Sequence, residues 1–226
     1  MNIRRIRSRL AAGLLFLIAS CGASAEGGFL GFGDDGETPS LALVPAEIAL
    51  DVPTPVQGDD LDLLLAQAGS GHGLSALKEK AAREFTAHLQ RELYVQLQAF
   101  FTDEEVPVVQ QEGYLTLHNF LDISAGKKLN DLKNSGGRQV ERGILELAGD
   151  YHYRLENSAG EPLRERRIDI AELGVKKRYR VSRSGGEVED TTGEAIEMAL
   201  TEMVERLLDR IEDDLEADEL RELARL

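Results

Sequence analysis

The 226-residue sequence has no tryptophan and a single cysteine, Cys21. One cysteine excludes an internal disulfide framework and any multi-cysteine zinc site. No lysine or arginine occurs between Arg9 and Lys78. Basic residues are outnumbered overall, 26 against 41 acids, for a formal net charge of −15. That balance argues against a general nucleic-acid binder.

Motifs of common chemistries are also missing. The four histidines, at 72, 88, 118 and 152, form no HExxH or other spaced metal pair. There is no G-x-S-x-G nucleophile elbow. Gly126-Lys127-Lys128 fails as a phosphate loop because Leu121 stands where a Walker A motif has its first glycine. Gly69, Gly71 and Gly73 read as a loop leading into a helix start. The C-terminal acids lack EF-hand spacing. No cofactor and no metal are expected.

What is present begins at the N-terminus. Arg4, Arg5, Arg7 and Arg9 precede a ten-residue apolar run, Leu10 to Ala19. The run is too short for a membrane-spanning helix, which needs roughly 20 residues. It has the length of a signal-peptide core. Ile18-Ala19-Ser20-Cys21 follows. This segment resembles the lipobox of bacterial lipoproteins. The resemblance implies cleavage between Ser20 and Cys21 and a diacylglyceryl group on the Cys21 sulfur, with palmitate-type acylation of the new amine. Gly22 after the cysteine implies the outer membrane, facing the periplasm. A competing cut lies after Ala23-Ser24-Ala25, an A-x-A site that would release a soluble chain without its cysteine.

From Gly22 to Leu77 there are nine acids and no basic residue. Residues 1–20 are read as the signal peptide. Residues 21–73 are read as the lipidated cysteine and a flexible acidic tether, because such composition buries too little apolar surface to offset its ordering entropy. Two apolar patches interrupt it, Leu41 to Leu50 and Leu61 to Leu65. They are either accidental or short docking segments.

Residues 74–226 read as the folded domain. Leu77, Ala81, Phe85, Leu89, Leu93, Leu97 and Phe100 predict one face of a helix from Ser75 to about Phe101. Alternation predicts strands over 113–120, 143–156, 161–170 and 175–183. Asn157-Ser158-Ala159-Gly160 is a turn composition, so the second and third strands should form a hairpin. Residues 125–137 are expected to be a loop or short helix. Ile196, Leu200, Met203, Leu207, Ile211 and Leu215 predict a long final helix from Thr192, followed by a solvated acid-rich tail. The expected fold is α+β: an antiparallel sheet of about four strands, with an N-terminal and a long C-terminal helix packed on one face. That layout loosely resembles small outer-membrane accessory lipoproteins, including the lipopolysaccharide-assembly lipoprotein. It differs in the fifty or so residues between cysteine and domain.

Two clusters are candidate sites. His118 and His152 lie on strands near Asp122 and Asp150, and a His–carboxylate pair would be an acid–base site. From Lys127 to Arg183 there are 14 basic residues against 9 acids, whereas Glu187 to Leu226 carries 15 acids and 4 arginines. Arg164, Arg166, Arg167, Lys176, Lys177, Arg178 and Arg180 crowd two strands. They either pair with local acids and the last helix, or form a basic face for an anionic lipid, glycan or acidic protein. The function expected is a non-enzymatic adaptor of the cell envelope, membrane-bound through its lipid. The alternatives are a carrier of a small amphiphile held between helices and sheet, and, behind both, a hydrolase.

Overall fold

The computed structural model describes residues 38–55, 73–185 and 187–225. The lipobox residues Ile18, Ala19, Ser20 and Cys21 lie outside them, as does the patch at 61–65.

The described residues form one mixed sheet of eight strands: β1 (Leu41–Leu43), β2 (Glu47–Asp51), β3 (Val108–Val109), β4 (Leu115–Ser135), β5 (Arg138–Asn157), β6 (Pro162–Asp169), β7 (Lys176–Ser184) and β8 (Glu187–Asp190). Among the described residues three α-helices accompany it: α1 (Gly73–Asp103), α2 (Thr192–Leu215) and α3 (Ala217–Leu223). The expectation of about four antiparallel strands is therefore corrected. The sheet is twice that size, and β1 and β2 run parallel to β4. Residues 41–43 and 47–51, expected in the tether, are strands of the sheet. Their short apolar segments pair side by side along β4, Leu41–Leu43 with 115–117 and Glu47–Asp51 with 120–124.

The centre is a long hairpin of β4 and β5, joined at Gly136-Gly137. The stretch 125–135, expected as loop or short helix, is the second half of β4. Beyond residue 124 it has no strand on its outer side among the described residues. Its lysines and a register shift between Leu129 and Asp131 blunt this open edge against stray pairing. The other edge of β5 pairs first with β7 and then with β6. Gly149 sits at that switch with φ 127°. A Cβ there would lie 2.0 Å from the Asp122 carbonyl oxygen, so only glycine fits.

Period-two alternation sends the odd residues of β4 and β5 to one face. Leu115, Leu117, Leu121, Ile123, Leu145, Leu147, Tyr151, Tyr153 and Leu155 are buried there. The helices cover this face. The α1 stripe runs in steps of four from Leu77 through Leu97 and continues to Phe101, fully buried, rather than to Phe100. Ile196, Leu200, Met203, Leu207, Ile211 and Leu215 of α2 are all buried as predicted. Each contributes about 1.5–3 kcal/mol through removal from water.

The acid-rich end is docked rather than solvated. The backbone extends at Glu216 and then re-forms as α3, which buries Ala217, Leu220 and Leu223. Tyr114 Oη donates to the Ala224 carbonyl at 3.0 Å, and Arg221 Nη2 donates to Thr38 Oγ1 at 2.8 Å. At the start of α2, Asp190 rather than a threonine accepts the Thr192 N–H, at 2.8 Å. Among the described residues no helix is long and apolar enough to cross a membrane.

Candidate functional site

The helices leave the even-numbered face of β4 and β5 uncovered. Strand register arranges its residues in rows. Thr116 faces Glu156, His118 faces Arg154, Phe120 faces His152, and Asp122 faces Asp150. His118 Nε2 lies 3.2 Å from Glu156 Oε2, and Arg154 Nε lies 2.7 Å from Glu156 Oε1. The rings of His118 and Phe120 are nearly parallel at 6.4 Å, and those of Phe120 and His152 at 5.5 Å. The Arg154 guanidinium sits 5.7 Å from the Phe120 centroid, within cation–π range.

This strip borders a broad depression of about 720 Å³ whose walls include Glu47, Phe120, Asp122, Asp150, His152 and Arg167. Arg167 grips Asp150 with two bonds of 2.8 Å. The Arg167 hydrogen bonds hold the Asp150 carboxyl below its ordinary pKa. The histidines thus share one face, but not as an acid–base pair with Asp122 and Asp150. Phe120 separates the two rings, Asp150 is committed to Arg167, and the carboxylate at His118 is Glu156, already shared with Arg154.

The seven basic candidates divide between the two faces. Three point to the helix side. Arg164 donates to the Asp214 carbonyl at 2.7 Å and to Glu219 at 2.8 Å. Arg166 donates to Asp214 Oδ2, which Tyr153 Oη also reaches at 3.0 Å. Burial alone would raise the Asp214 pKa, but the bonds from Arg166 and Tyr153 outweigh it and hold the carboxyl low. Lys177 pairs with Glu202, which also binds Arg206. These cations tie the sheet to α2 and α3.

The other four lie on the uncovered face. Arg167 is paired with Asp150 as above, and Lys176 with Glu146 at 2.8 Å. Lys176 lowers the Glu146 pKa mainly through that hydrogen bond. Arg178 and Arg180 are exposed. Register places Ile144 between Lys128 and Arg178, and sets Arg142 directly opposite Arg180. Among the described residues no salt bridge engages Lys128, Arg142, Arg178 or Arg180. Lys128 and Arg142 were not among the candidates. They sit on strands other than the two that hold the basic run, so only the pairing register reveals them.

No family model and no curated protein matches the sequence. Among solved structures, the chain is similar to a Helicobacter pylori protein described as a neuraminyllactose-binding hemagglutinin homolog. That likeness has 13% identity and a TM-score of 0.48, over 83% of this chain and 91% of the other. It is also similar to a minor lipoprotein from Acinetobacter baumannii, at 10% identity and a TM-score of 0.30, over 78% and 94% of the two chains. A Caulobacter crescentus chain described as a lipoprotein gives 14% identity and a TM-score of 0.28, over 58% and 82%. Two of the three carry lipoprotein names. At these identities and scores the likeness assigns neither a family nor a function.

Proposed function

We propose that this chain is a non-enzymatic accessory protein of the bacterial cell envelope, anchored through a lipid on Cys21, that docks a phosphate-bearing lipid or glycan on the uncovered face of its sheet. One observation carries the reading: the cluster of Lys128, Arg142, Arg178 and Arg180, none of which makes a salt bridge among the described residues. Like charges directly opposite on paired strands destabilise a sheet. Arg142 and Arg180 stand in that relation, with the acid nearest in register, Asp131, opposite Arg142 on the far strand. An anion seated over Ile144 would bridge all four cations and offset the repulsion. The uncovered face supplies the flat approach that a lipid headgroup or a glycan phosphate needs. The outer-membrane location implied by Gly22 belongs to the same reading.

The test is sedimentation of the mature chain with phosphatidylglycerol vesicles and, separately, with lipopolysaccharide. Binding to one of them should fall between about 0.1 and 1 M salt, as screening shortens the reach of exposed charges. It should be lost when Arg142, Arg178 and Arg180 are changed together to Gln. Binding that survives this change, or ignores salt, overturns the proposal. Intact mass of the membrane fraction tests the anchor. A chain starting at Cys21 with added lipid mass supports it, and a soluble chain starting at Glu26 refutes it.

A further inference from the structure

We infer that a groove between α1 and the β1–β2 connection is a binding site for a single-chain carboxylate, with Asn119 and Arg91 reading the head and the groove walls taking the chain. The site lies on the helix side of the sheet and is independent of the cationic cluster.

The groove holds about 350 Å³. Leu43, Val44, Pro45, Leu93, Tyr94 and Leu97 give it an apolar wall. That volume falls near the bottom of the roughly 300–1,000 Å³ range of ligand pockets, room for one chain rather than two. Tyr94 remains 44% exposed although it lies on the groove side of a helix packed on the core. Such apolar surface beside a concavity marks a binding site more often than a single scattered residue does.

Asn119 distinguishes this groove from a packing defect. It occupies a core-facing position on β4 between Leu117 and Leu121, where a leucine would serve packing better. It is only 3% exposed and lines the groove. Its side-chain oxygen accepts from Tyr151 Oη at 2.7 Å. Its amide nitrogen has no partner among the described residues. That nitrogen is not sealed from solvent like the fully buried unpartnered atoms and opens onto the groove. An acceptor brought in by a ligand satisfies it. At the rim stand Gln90 and Arg91. Arg91 is an exposed cation that approaches the His88 ring nitrogen of its own helix at 3.4 Å. Donor at the floor and positive charge at the rim select an anionic acceptor. Apolar walls select a hydrocarbon chain.

Isothermal titration of the full mature chain with hexanoate, octanoate, decanoate and dodecanoate tests the inference. One saturable site is expected. Affinity should rise about fourfold for each methylene that the groove still buries, then level off. Ala87→Phe, on the exposed side of the groove, should abolish saturable binding with an unchanged circular dichroism spectrum. Asn119→Asp replaces the donor by a negative charge while keeping the acceptor for Tyr151, and should abolish it too. Should either variant fail to fold, Arg91→Gln decides. It should weaken decanoate several-fold and leave decylamine, of the same length and opposite charge, unaffected. Absence of saturable binding, equal binding by Ala87→Phe, or decylamine binding as tightly as decanoate overturns the inference.

Discussion

Removing the Asp214 carboxylate should loosen the C-terminal helices from the sheet. Asp214 is the last acid of α2 before the chain turns into α3. Its side chain is 27% exposed and takes the Tyr153 hydroxyl at 3.0 Å together with the Arg166 guanidinium. The Tyr153 bond to a partly buried carboxylate is worth about 1.5 kcal/mol. The Arg166 pair is more open to solvent, and screening reduces it to about 0.5–1 kcal/mol. Arg164 keeps its bond to the Asp214 backbone carbonyl in any variant. Asp214→Ala should therefore cost about 2–2.5 kcal/mol, the sum of the two side-chain losses. For a domain of this size that lowers Tm by about 5–10 °C. Tyr153→Phe should cost about 1 kcal/mol alone, and the double variant should fall short of the sum by about the same amount. The pH dependence supplies a second check. The folded pKa of Asp214 lies below its ordinary value. A depressed carboxylate stabilises above its unfolded pKa, about 3.9, and loses that contribution as pH falls through the folded value. The gap between wild type and Asp214→Asn should thus be complete at neutral pH and close below about pH 3.9. Urea titrations followed by circular dichroism measure all of this. A change under about 0.5 kcal/mol for Asp214→Ala would be that of an ordinary surface site and would refute the network's role.

Two further outcomes follow from close packing and from burial. At Gly143, which faces Tyr179 across the β5–β7 pair, a Cβ would lie 2.4 Å from the Lys128 carbonyl oxygen and 2.5 Å from the Tyr179 ring. Gly143→Ala should cost about 1–3 kcal/mol in overpacking, seen as a lower thermal midpoint; an unchanged midpoint would show that the ring moves freely. Burial first, and then the Glu141 hydrogen bond, push the Tyr179 hydroxyl up to about 12, while burial raises Tyr151 and Tyr153 beyond the ordinary tyrosine range. A raised folded pKa means that stability is lost as pH climbs past the unfolded value, about 10. Phenolate absorbance from Tyr151 and Tyr153 should appear only with loss of the fold, and Tyr151→Phe should leave the spectrum at pH 11 unchanged.

The helices were legible because burial on one side of a helix writes a stripe with steps of three and four. The β5–β6 hairpin was legible from Asn157-Ser158-Ala159-Gly160, where the Asn157 side-chain oxygen accepts from Ala159 and Glu161 N–H groups. The distal half of β4 was not legible. Residues 126–135 are exposed or half-exposed on both faces, so no alternation marks them as strand. Their order comes from backbone pairing with β5, which a hydropathy pattern does not record. The same holds for β1 and β2, whose few residues are strands only because β4 lies beside them. Charge counting foundered on a parity. Arg166 and Arg167 are adjacent in sequence and lie on opposite faces, one bound to Asp214 and the other to Asp150. His118 was placed with Asp122, four residues away, or about 13 Å along a strand. Its true neighbour, Glu156, is remote in sequence and adjacent across the ladder.

Parity also changes what the net charge of −15 means for a partner. Many of the C-terminal acids belong to α2 and α3, on the covered side, where Glu202, Asp214 and Glu219 hold cations of the sheet. Lys128, Arg142, Arg178 and Arg180, which make no salt bridge among the described residues, face the other way. At about 0.1 M salt the screening length is about 10 Å, comparable to the spacing between packed layers. An anion at the uncovered face then responds chiefly to the nearby cations. At about 0.01 M salt the screening length grows to about 30 Å, and the excess of acids on the whole chain repels the same anion. Binding of an anionic partner should consequently pass through a maximum near 0.1 M salt, weakening at both extremes. A simple cationic protein would instead bind ever more tightly as salt is removed. Vesicle binding measured from 0.01 to 1 M salt separates the two cases. A steady rise toward the lowest salt would mean that the helix-side acids do not oppose the approach, and that the two faces are not electrically separate at all.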